Sequence, residues 1–92
     1  MAQDPGIGYK VVATVVQARG VCGAGHVLGD TFEISCHDAA GLCGFFYHHL
    51  FADLQTFQFG GTLPWWQQDE FEARCPDPAN ELTLRLRRSL RE

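Results

Sequence analysis

The pattern of apolar and polar positions changes period several times along the chain. Residues 9–18, YKVVATVVQA, are dense in β-branched and small side chains. Val11, Ala13 and Val15 fall on one side, and Val12, Thr14 and Val16 on the other. Both sides are largely apolar, which predicts a strand buried on both faces. The stretch from Arg19 to Gly29 holds Gly20, Gly23, Gly25 and Gly29 and reads as a loop rich in turns. From Asp30 to Ser35 a two-residue period returns, with Phe32 and Ile34 on one face, so a second strand is expected to pair with the first across the glycine loop. Between Leu42 and Phe57 the period lengthens. Phe46, Tyr47, Leu50, Phe51, Leu54 and Phe57 recur at three and four, the spacing of an amphipathic helix, and Phe45 falls off that stripe. Asp38, in the lead-in HDAAG, is the candidate N-cap. Gly60 and Gly61 supply the stop, and Pro64 prevents continuation. Phe71, Ala73 and Cys75 then alternate with Glu70, Glu72 and Arg74. After the Pro76–Pro78 break, Leu82, Leu84 and Leu86 alternate with Thr83, Arg85 and Arg87. The order is β-β-α-β-β: a small α+β domain over residues 9–92, with one helix packed on a mainly antiparallel sheet, preceded by a flexible segment at residues 1–8.

Size and charge narrow this picture. A chain of 92 residues is one domain, and one this small buries a modest share of its surface. Seven Phe, two Tyr and two Trp argue against disorder. A metal, a disulfide or a partner chain would add stability to so small a core. The net charge of −4 is poor for a nucleic-acid binder, which replaces phosphate counterions with its own cations. The charge is also uneven: residues 1–81 carry three basic and ten acidic side chains, whereas Arg85, Arg87, Arg88 and Arg91 crowd the last eleven residues. These arginines are expected to form a solvated strand face that complements the acidic body. No apolar run is long enough to span a membrane, and the first residues lack the features of a signal peptide. The default expectation is a soluble, cytoplasmic protein whose thiols stay reduced, so its four cysteines read as ligands, redox groups or packed side chains.

Three of those cysteines fall at element ends, where distant parts of a chain meet. Cys22 lies in the glycine loop, Cys43 in the first turn of the helix, and Cys75 at the end of the third strand. The amides and partial positive charge of a helix entrance favour a thiolate, the form that binds metal. In Cys22-Gly-Ala-Gly-His26, the two glycines let the loop fold back so that both end residues reach one ion. Zinc takes about four such ligands in a tetrahedron. Cys22, His26, Cys43 and Cys75 supply a Cys₃His set, and Cys36 in place of His26 supplies Cys₄. An iron–sulfur cluster is the second candidate cofactor. Asp30 and Asp77 are candidates for orienting such ligands. There is no CxxC pair, and buried cysteines that merely pack are the plain alternative.

Two other classes stay open. One is a metal-free accessory subunit that homodimerises or docks a protein partner through the aromatic loop Phe57–Trp66. The other is a thiol-based redox or nucleophilic protein using Cys43, with His26 as base. His48 and His49 point about 100° apart on the helix flanks, and His37 reads as a loop residue. The glycines match neither the dinucleotide nor the nucleotide phosphate loop, and no enzyme signature is present.

Taken together, Gly20-x-Cys22-x-x-Gly25-His26-x-x-Gly29-Asp30-x-Phe32, then Gly41-x-Cys43, then Phe59-Gly60-Gly61-x-x-Pro64-Trp65, then Cys75-Pro76-Asp77 resemble a family of small bacterial and archaeal proteins of uncharacterised function. The likeness runs from Lys10 to Arg88. It implies a compact single domain with three shared cysteine positions, Cys22, Cys43 and Cys75. Cys36 lies outside that pattern, and no activity comes with the resemblance.

Overall fold

A computed structural model describes residues 3–20, 22–78 and 81–91. It contains β1 (Lys10–Gln17), β2 (Thr31–Ile34), α1 (Gly44–Gln58), β3 (Glu70–Arg74) and β4 (Thr83–Ser89). The strands form one antiparallel sheet in the order β2-β1-β4-β3. The chain is therefore an α+β domain of β-β-α-β-β order. The two strands richest in aliphatic residues, β1 and β4, take the centre. Register then sets the core: Ala13 lies opposite both Phe32 and Leu86, Val15 opposite Leu84, and Phe71 opposite Leu86. All project from one face, and α1 closes it with Phe46, Leu50, Leu54 and Phe57, none more than 1% exposed. Each such side chain contributes about 1.5–3 kcal/mol by leaving water.

The second face of β1 is not covered as its composition suggests. Val12, Thr14 and Val16 are only half-buried, because a single helix can cover one side of the sheet. The uncovered face is held by cross-strand ion pairs, Arg85 to Glu72 at 3.1 Å and Arg87 to Glu70 at 2.6 Å. These two arginines do complement acidic residues on an outer face.

Arg88 does not. It is in step with Leu84 and Leu86, so it points under the helix, where its side chain is 7% exposed. There it donates to the carbonyls of Phe57 at 2.9 Å, Gly61 at 2.6 Å and Gln68 at 3.0 Å, and to the Asp69 carboxylate at 3.2 Å. Its guanidinium also lies over the Phe57 ring, 4.6 Å from the centroid.

The helix begins later than Asp38. The Asp38 carboxylate accepts from the Ala40 amide at 2.8 Å, closing a local turn instead of a helix. Ala40 and Gly41 then adopt φ of 55° and 85°, a left-handed backbone that no right-handed helix continues. The N-cap is Cys43, whose carbonyl accepts from the Tyr47 amide at 3.0 Å. At the other end Gly60, at φ 90°, stops the helix as expected.

The residues leading into β1 are fastened. The fully buried Gln58 donates from its amide to the Ile7 carbonyl at 3.1 Å, while its main-chain carbonyl accepts from the Tyr9 amide at 2.8 Å. Arg91 holds the same segment through the Asp4 carboxylate and the Gly8 carbonyl. A Cβ at Gly8 would stand 2.6 Å from the Gln58 carbonyl oxygen, so only glycine fits there.

Candidate functional site

The loop between β1 and β2 is tied to two other segments, and the ties bring the cysteine-bearing parts of the chain together. On one side, the Arg19 guanidinium donates to the Pro78 carbonyl at 3.0 Å and pairs with Glu81 at 3.0 Å, joining the start of the loop to the turn after Cys75. On the other, the Cys43 amide donates to His26 Nε2 at 3.2 Å, joining the loop to the helix entrance. Cys22 lies between these ties, where the Gly25 amide closes a turn on its carbonyl at 3.0 Å. A shallow cavity of about 210 Å³, lined in part by Cys22, Gly25, His26, Val27 and Leu28, opens beside it.

Each sulfur sits in a different setting. Cys75 is buried, its amide donating to the Leu82 carbonyl at 2.7 Å, so the residue just before β4 fixes its position. Cys22 and Cys43 are half-buried. Burial pushes the Cys75 thiol up from its ordinary value. The backbone amide of Asp77 works against this by donating to the sulfur, while Cys43, the Asp77 carboxylate and Cys22 add to the rise. Among the described residues, no three His, Cys, Asp or Glu side chains stand placed to hold a metal ion.

Cys36 belongs elsewhere. Its amide donates to Gln58 Oε1 at 2.8 Å, and its thiol contributes to raising the Tyr47 hydroxyl, which itself donates to the Ser35 carbonyl at 2.7 Å. His37, His48 and His49 are exposed. Asp30 holds the loop rather than a ligand, its carboxylate accepting from the Val27 amide at 3.0 Å. The aromatic loop divides. Phe57 and Trp66 pack with Phe71 in the core, while Phe59 and Trp65 stay 51% and 77% exposed. Phe45, off the apolar stripe, is also exposed.

Burial also raises Cys36, and it is the leading cause at Tyr47. All three raised groups hold their protons in the fold at pH values where the unfolded chain has begun to release them. Their contribution to stability is complete below the unfolded thiol value of about 8.5 and is lost as pH rises through the folded values. The urea midpoint of the reduced, metal-free chain should therefore stay level from pH 7 to 8 and fall above about pH 9. A midpoint that holds or rises over that range would contradict these environments.

Comparison with protein-family models, with curated proteins and with solved structures gives no match to this chain. Among the described residues, no helix is long and apolar enough to cross a membrane.

Proposed function

We propose that this domain binds a metal ion or an iron–sulfur centre through the thiolates of Cys22, Cys43 and Cys75. The observation that carries the reading is the pair of ties on the β1–β2 loop, Arg19 to Pro78 and Glu81 on one side and His26 to the Cys43 amide on the other. They hold a cysteine-bearing loop between two other cysteine-bearing element ends. The Asp77 amide donating to the Cys75 sulfur favours the thiolate that a metal requires. Crowding of like thiolates opposes that form, and a cation among them removes the opposition. Closing the site asks for movement of Cys22, which lies on a loop containing Gly23 and Gly25 with open space beside both.

Titration of the reduced chain with Cd(II) tests this directly. Cadmium accepts three or four thiolates and gives a sulfur-to-metal absorption band that counts them. One equivalent should bind. Serine at Cys22, Cys43 or Cys75 should each weaken binding about 100-fold, and Cys36→Ser should leave it unchanged. Equal effects at all four positions, or no band, would reject the site. A visible absorption band in anaerobically prepared protein would assign an iron–sulfur centre instead of a single ion.

A further inference from the structure

We infer that the free edge of β3 pairs, antiparallel and across a two-fold axis, with the same edge of a second copy of this chain. The pairing joins two four-stranded sheets into one of eight strands, and it is independent of the metal-site reading.

β3 is an outer strand, so one side of its backbone meets β4 and the other has no neighbouring strand. The register shows which residues face out. The Cys75 amide donates to the Leu82 carbonyl at 2.7 Å, and the Arg88 amide to the Asp69 carbonyl at 3.1 Å. Both pairs continue the register that sets Phe71 opposite Leu86 and Ala73 opposite Leu84. Along an antiparallel pair, every second residue exchanges such bonds with its neighbour. Phe71 and Ala73 therefore commit their main chains to β4, and those of Glu72 and Arg74 point outward. The free stretch closes at both ends. The Glu70 amide turns to the Gln67 carbonyl at 3.5 Å, and Pro76 has no amide.

Across such an edge, outward-facing residues stand opposite one another, so a two-fold pairing has few registers. Glu70 opposite Glu72, Glu72 opposite itself, or Arg74 opposite itself sets like charges together, which opposes pairing. One register remains. It puts Glu72 of each copy opposite Arg74 of the other, with four main-chain hydrogen bonds between them. On the axis, Ala73 meets Ala73, the smallest side chain of the strand. Arg74 is exposed and, unlike Arg85 and Arg87, has no acidic partner among the described residues. The second copy supplies one. Both bonds from Arg85 go to Glu72 Oε2, which leaves Oε1 for another guanidinium.

The opposite edge of the sheet lacks this complementarity. Thr31 and Glu33 face out from β2, and no register of theirs sets opposite charges together. Glu33 also stands 3.7 Å from Arg91 already. At the β3 edge the pairing brings the partner's Pro76 to the Glu70 end of the strand. There Trp65, 77% exposed, lines a cavity of about 430 Å³ with Asp53, Trp66 and Phe71. A second copy covers an aromatic surface that the single chain leaves open.

An interface this small implies reversible association, so the test is sedimentation velocity of the full chain, reduced and with a chelator, from about 5 to 500 µM. Wild type should pass from monomer to dimer and no further. Arg74→Glu and Glu72→Arg should each weaken dimerisation about tenfold or more, since the axis makes every reversal count twice. Mixed in equal amounts, the two variants should form heterodimers within about threefold of wild-type affinity, because each then meets its opposite charge. Circular dichroism checks that both fold. Glu72→Arg loses the Arg85 pair, so if it does not fold, Arg74→Glu decides alone, its side chain being exposed and unpaired. The inference is overturned by a wild type that stays monomeric at the highest concentration, by dimers that Arg74→Glu leaves intact, or by folded variants that ignore each other when mixed. Growth beyond dimers, which pairing of β3 with β2 of the next copy would produce, overturns it too.

Discussion

Replacing Arg88 with alanine is expected to destabilise the domain by about 3–5 kcal/mol, the cost of leaving part-buried carbonyls without their charged donor and of emptying the space the side chain fills. A chain of this length has about 5–14 kcal/mol in total, so the variant should sit near the edge of folding. The change leaves the carbonyls of Phe57, Gly61 and Gln68 without their donor and empties the space beside the Phe57 ring. It also frees the loop after α1 from β4. Lysine should recover little, since one ammonium cannot reproduce a planar fork that reaches three carbonyls and a carboxylate. Arg87→Ala, which removes a side chain 67% exposed, should cost less than about 1 kcal/mol. Urea denaturation followed by tryptophan fluorescence measures all three. Equal losses for Arg87→Ala and Arg88→Ala would show that burial of Arg88 is not what matters.

Arg88 also shows what the sequence makes legible. Its parity with Leu82, Leu84 and Leu86 puts it on the buried face, yet its charge places it with Arg85 and Arg87 on the solvated one. The alternation was the better guide. Periodicity reads the strands and the helix well because burial on one face imposes it, and β2 pairs with β1 as the pattern predicts. It reads Asp38 poorly, since an N-cap and a local turn use the same carboxylate geometry. Only the left-handed backbone at Ala40 and Gly41 separates them. Composition also misleads at Val12 and Val16, because β-branched residues suit a strand whether or not anything covers them.

At the candidate site, placement at element ends is legible, because the ends of a sheet and its helix must lie near one another. The ties between those ends are not. Arg19 reaches Pro78 and Glu81 across most of the chain, and His26 meets a main-chain amide rather than a side chain. The sequence marks His26 as a nitrogen of the right spacing from Cys22. It holds no signal that this side chain meets the Cys43 amide, since that depends on where the helix starts.

Saturating the reduced chain with Cd(II) should raise its stability by about 2.7 kcal/mol at a hundredfold excess over the dissociation constant. For a domain of this size, that is a rise of roughly 10–20 °C in the unfolding midpoint. The effect should be large because the three thiols of the proposed site come from separate segments: the β1–β2 loop, the entrance to α1 and the end of β3. Unfolding separates all three, so the unfolded chain keeps only weak, partial affinity. The ion must also displace protons, including the one that burial holds on Cys75, so the gain should grow from pH 6 to pH 8. That trend runs against the alkaline loss expected of the metal-free chain, and the two can be told apart in one series of melts with and without the ion. Cys75→Ser should abolish the cadmium-dependent rise, while Cys36→Ser should keep it. A midpoint indifferent to Cd(II), or the same rise in Cys75→Ser, would mean that the segments meet for packing alone.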